Sequence, residues 1–173
     1  KLYRTNLSGA NLRGARLSNA DLTQSELSGA NLSNAELYNT QLMGANLIGA
    51  NLSGADLQKA QLTHTNLHKA NLTSAWLAGA NLQKANLQKA NLFRSTLHGA
   101  NLQDADLSAA NLMEASLIKA NLRDVDLQDA DLNKTILFKA SVSKSALIEA
   151  QLCLTSLPDY TMHNRDCEQT RSI

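Results

Sequence analysis

Ala45-Asn46-Leu47-Ile48-Gly49-Ala50-Asn51-Leu52-Ser53-Gly54-Ala55-Asp56-Leu57 repeats one five-residue unit: a small residue, a short amide or carboxylate, a leucine, then two variable positions. Outward from this stretch the beat runs from Leu2 to Leu157, with 31 leucines in 32 positions and Val142 as the exception. Met162 and Cys167 still fall on it. A period of five suits neither regular structure. At about 100° per residue on a helix, successive leucines would drift around the cylinder, and on a straight strand they would alternate faces. A chain that keeps every fifth residue inside must turn a corner once per beat.

All eight glycines (Gly9 to Gly99) lie two residues after a leucine, a slot shared by Asn19, Asn34 and Asn39. Glycine and asparagine accept the positive φ of tight turns, so the corner belongs there. The residue two before each leucine is alanine in 22 of 31 beats from Leu7 to Leu157, and the others are small or β-branched. On a short strand that residue and the leucine both point inward.

A second period lies on top of the first. The residue before leucine at every fourth beat reads Asn11, Asn31, Asn51, Asn71, Asn91, Asn111, Asp131, Gln151. The next column reads Arg16, Glu36, Asp56, Trp76, Thr96, Ser116, Ile136, Ser156, without asparagine. Four corners per coil and about eight stacked coils follow, because stacking buries what one unit cannot.

This pattern resembles the pentapeptide-repeat family, whose unit is A(N/D)LXX, over residues 1–157. The resemblance implies an all-β solenoid: a right-handed quadrilateral parallel β-helix of 20-residue coils with a short C-terminal cap. Leu157-Pro158-Asp159-Tyr160-Thr161-Met162-His163 is similar to the tail that follows the last repeat in this family. Residues 158–173 are therefore expected to form the cap, partly helical, over an otherwise open strand edge. The other end shows no cap, so either an upstream segment covers it or two rods meet there as an end-to-end homodimer. Cys153 and Cys167 either form a disulfide pinning the tail to the last coil, as in some lumenal relatives, or remain reduced thiols.

Composition narrows the function. Only 3% of residues are aromatic and net charge is +1. The first hundred residues carry nine Lys/Arg against four Asp/Glu, and residues 101–150 carry five against eight. No apolar run reaches the roughly 18 residues of a transmembrane helix, so no membrane span is expected. The chain opens at Lys1 already on the beat, which leaves the compartment open between cytoplasm and, after loss of an upstream signal, periplasm or thylakoid lumen.

Most candidate chemistry has a plain reading. The asparagine column is expected to satisfy backbone groups at the turns. His64 and His68, four apart, straddle a corner, and no Cys, Asp or Glu lies between residues 57 and 103 to complete a metal site. Asp104 with Asp124, and Asp106 with Asp126, stack one coil apart and read as a solvated face. Lys69, Lys84, Lys89 and Arg94 form a basic patch, but without enough aromatics or net charge for nucleic acid to be the favoured partner. No nucleophile–base arrangement or phosphate loop appears, so neither an enzyme nor a cofactor is expected.

The strongest functional signal is apolar. Tyr38, Trp76, Ile118, Ile136 and Phe138 occupy outward or corner positions on the side without asparagine, and Phe93 and Met113 stack on the preceding side. Exposed apolar patches mark interaction sites. The expectation is a non-enzymatic scaffold binding an unidentified protein partner, consistent with what the family resemblance implies. That resemblance also implies an alternative, mimicry of duplex DNA toward a type II topoisomerase, which near-neutral charge disfavours.

Overall fold

The computed structural model describes residues 2–167. Parallel bridges join residues 20 apart in four columns, exemplified by Asn11↔Asn31, Arg16↔Glu36, Asp21↔Gln41 and Glu26↔Asn46. The chain thus returns above itself every fourth beat. Each bridge is short because a corner follows it. Only at β1 (Asn121–Leu122) and β2 (Ser141–Val142) does the parallel pairing lengthen to two residues.

One beat shows how five residues close a corner. Leu12 N–H donates to the Asn31 carbonyl at 2.7 Å, and Asn31 N–H donates to the Ala10 carbonyl at 2.9 Å, so each coil is bonded to the next. Ala15 N–H then donates back to the Leu12 carbonyl at 3.0 Å, which closes a four-residue turn. The third turn residue has φ between +53° and +66° at every such slot from Arg4 to Lys139. A positive φ at the third residue alone is the mark of a type II turn. The left-handed slot is therefore universal, occupied by Lys, Asp, His and Ser as well as by glycine.

The shaft is filled by leucine and alanine, from Leu22 to Leu152 almost all at 0–3% exposure. Each buried leucine contributes roughly 1.5–3 kcal/mol. Leu2, Leu7, Leu12 and Leu17 pack on this core but are only partly buried. Where a hydroxyl replaces alanine it finds an acceptor: Ser25 Oγ donates to Leu22 O at 2.7 Å, and Thr65 Oγ1 donates to Leu42 O at 2.8 Å. No buried side-chain nitrogen or oxygen among the described residues lacks a partner.

The C-terminal region departs from expectation. A one-turn helix, α1 (Lys144–Ile148), interrupts the beat inside the stretch 1–157. The cause is local. Ser143 caps it, its Oγ accepting from Ala146 N–H at 3.1 Å. Ala146 also stands where Asn46, Asn66, Asn86, Asp106 and Asp126 supply a turn-fixing acceptor, and alanine favours helix. Leu147 nonetheless stays buried. Part of the tail pairs as strand: β4 (Met162–His163) folds back antiparallel onto β3 (Thr155–Ser156). Met162, though on the beat, is 58% exposed. The expected cap extends over residues 168–173, which lie outside the described residues.

Candidate partner-binding face

The side beginning with Arg16 is flat because its column is a ladder of bridges, Arg16↔Glu36↔Asp56↔Trp76↔Thr96↔Ser116↔Ile136. Trp76 is locked by its backbone to the preceding coil: its N–H donates to Ala55 O at 3.0 Å and its carbonyl accepts from Leu57 N–H at 2.7 Å, while its neighbours Ala75 and Leu77 bond to Thr96 of the next coil. The residue is 59% exposed and sits in mid-column between Asp56 and Thr96. The indole is thus held on a rigid support in open solvent. Tyr38 is 37% exposed, and Lys59 Nζ lies 5.4 Å from its ring centroid. The Tyr38 phenol holds the Lys59 ammonium above its ordinary pKa, chiefly by hydrogen bonding.

The remaining apolar residues do not extend this patch as expected. Ile118, Ile136, Phe93 and Met113 are half-buried. Phe138 is not a free outward ring: Tyr160 of the tail stacks on it with centroids 4.8 Å apart. Phe93 lies under Arg94, whose guanidinium carbon is 4.7 Å from the ring centroid. Tyr38 and Trp76 are therefore the two expected residues that stand open, about two coil spacings apart or roughly 10 Å. Met43 and Ile48, 43% and 38% exposed on other sides, were not singled out by sequence reasoning. They occupy first-turn positions that mostly hold polar residues, a departure visible in the column itself.

The other candidates have structural roles. Asn51 Oδ1 accepts from Ser53 N–H at 3.1 Å, and the same contact recurs at Asn31, Asn71, Asn91 and Asn111. Asn71 Nδ2 donates to Asn51 Oδ1 at 3.3 Å, so the amides also ladder between coils. His64 is exposed and His68 half-buried. Among the described residues no group of three His, Cys, Asp or Glu is placed to hold a metal ion.

At the C-terminal end Cys153 and Cys167 are joined in a disulfide with Cα atoms 4.6 Å apart. Around it Leu152 N–H donates to Asp166 Oδ2 at 2.8 Å, Leu154 N–H donates to Asn164 Oδ1 at 3.2 Å, and Arg165 Nη2 donates to the Leu147 and Ala150 carbonyls. Between α1 and this tail lies a cavity of about 300 Å³. Its residues were not grouped by sequence reasoning, since nothing in a period of five places the tail.

The sequence matches the family described as pentapeptide repeats in eight copies, over residues 1–39, 40–75, 70–108, 100–138 and 115–153. Solved structures similar to it include HetL, a pentapeptide repeat protein involved in heterocyst differentiation regulation from the cyanobacterium Nostoc sp. strain PCC 7120. The two are 34% identical over 94% of this chain and 86% of that one, with a TM-score of 0.55. Full-length QnrB1, a plasmid-mediated fluoroquinolone resistance protein, is 16% identical over 90% of this chain and 92% of that one, with a TM-score of 0.54. That likeness is one of fold. A comparison with curated protein sequences finds no match.

Proposed function

The chain belongs to the pentapeptide-repeat family, and from that premise we propose that it is a non-enzymatic scaffold, a right-handed four-sided rod that offers the Trp76 side to a protein partner. Trp76 carries the reading. A tryptophan 59% exposed on a backbone bonded into the ladder of coils is the kind of anchor that dominates interfaces, because burying it costs little further ordering. Members of this family generally work through contacts rather than chemistry. HetL, involved in regulating heterocyst differentiation, is a precedent for a regulatory role.

The immobilised chain and its Trp76→Ala variant, each incubated with lysate of the source cells, test this. The native chain should retain a defined protein that the variant loses, and identical recovery by both would refute the reading. Duplex-DNA mimicry is the weaker alternative. DNA carries one negative charge per roughly 1.7 Å, whereas this chain has net charge +1 and a basic first half. Gyrase supercoiling unaffected by micromolar protein would remove that alternative.

A further inference from the structure

The cavity between α1 and the tail exists because the beat fails there. Val142 replaces leucine, Ala146 replaces the turn-fixing Asn or Asp, and the backbone winds into α1. Ile148 fills the outward position held by Ser28, Ile48, His68, Gln88 and Ser108 in earlier coils, mostly polar residues. The result is an apolar floor of Leu147, Ile148, Leu152 and Leu157. Its other lining residues are Lys144, His163 and Arg165, and no carboxylate lines it among the described residues.

Those three basic groups are not equivalent. Arg165 is already committed: Nη2 donates to the Leu147 and Ala150 carbonyls, and Nε pairs with Asp166 Oδ2 at 3.1 Å. It braces the wall. His163 Nδ1 accepts the Arg165 N–H at 3.3 Å, which leaves Nε2 as the donor pole of its neutral ring. Lys144 projects from α1 and is exposed. The acid that feels its charge, Asp159, is already bonded to Thr161 through both the hydroxyl at 2.6 Å and the N–H at 3.1 Å.

We propose that this cavity binds a small aliphatic carboxylate, its chain on the leucine and isoleucine floor and its charge at Lys144 and His163. Size and charge select that class. At about 300 Å³ the site stands at the lower end of ligand pockets, roughly 300–1,000 Å³, too small for a nucleotide or a peptide helix. With the arginine fork occupied, one ammonium and one imidazole suit a single negative charge better than a phosphate dianion. This site is independent of the Trp76 side. One of its walls is the tail, so occupancy requires the disulfide-held form.

Titration calorimetry of the full, oxidised chain with octanoate, and separately with octanol, tests the proposal. Octanoate should bind with a 1:1 stoichiometry and octanol at least about tenfold more weakly, the loss of a charge-assisted contact. The Lys144→Gln/His163→Gln variant should weaken octanoate to the level of octanol while leaving octanol unchanged. Ile148→Trp, at a position 65% exposed and so free of the core, should fill the floor and abolish both. Absence of octanoate binding would overturn the proposal. So would equal affinity for octanol, or octanoate binding unchanged by Ile148→Trp.

Discussion

Thr40 Oγ1 donates a 2.8 Å hydrogen bond to the carbonyl of Leu17, 23 positions earlier in the chain. Thr65 to Leu42, Thr135 to Leu112 and Thr155 to Leu132 repeat the contact at the same distance. The serines, whose hydroxyl has the same reach, turn it the other way and bond three residues back, as Ser95 does to Leu92. Threonine in the alanine column thus ties two coils together. Thr65→Val keeps the shape and removes the donor, while the Leu42 carbonyl retains Ala45 N–H. The variant should lose about 0.5–1.5 kcal/mol in urea unfolding.

The universal positive φ predicts opposite signs for two exchanges at the same slot. Gly29, at φ +64° with nothing within 4 Å of an added Cβ, has room but not the backbone preference. Gly29→Ala should therefore cost about 1–2 kcal/mol, the left-handed penalty of an L-residue. Lys69, exposed at φ +57°, already bears that penalty. Lys69→Gly should be stabilising by a few tenths to about 1 kcal/mol after glycine's greater unfolded entropy is subtracted. Thermal unfolding of both variants checks the pair, and like signs would refute the backbone argument.

What the sequence exposes and what it hides have separate causes. Leu52, Ala55 and Asn51 are legible because each repeats the same environment every 20 residues, so burial and turn bonding print a column. Trp76 is legible as a break in such a column. Lys69 in a left-handed turn is not, since lysine has no preference that announces it. The helix at Lys144–Ile148 hides behind Leu147, which keeps the beat while the backbone changes. Tyr160 covering Phe138 and Arg165 bracing Ala150 depend on the path of a non-repeating tail, which no period encodes.

The Cys153–Cys167 disulfide closes a loop with a sequence separation of 14. A loop near 15 residues is worth about 3 kcal/mol in the chain-entropy treatment. Because each coil contacts only its neighbours, that loss should stay at one end. In the Cys153→Ser/Cys167→Ser variant, hydrogen exchange should accelerate at Leu152, Leu154 and Leu157. Amides around Leu52 and Leu72 should keep native protection. Uniform acceleration along the rod would show that the tail stabilises the whole stack.

Glu114 sits at a corner between two cations, with Arg94 Nε at 2.7 Å and Lys134 Nζ at 3.6 Å. The hydrogen bond from Arg94 leads, with the charges of both cations adding, and together they hold its carboxyl below the ordinary 4.5. A carboxylate depressed in the folded state stabilises fully above its unfolded pKa. That contribution fades as pH falls through the lower folded value. Carbon-13 titration should place the Glu114 midpoint below the ordinary 4.5. Arg94→Ala should return it most of the way, and Lys134→Ala less. The stability gap between native protein and Glu114→Gln should be small at pH 7, constant down to the ordinary carboxylate range, and gone below the Glu114 midpoint. A gap that persists in acid would mean that Glu114 acts by packing rather than by charge.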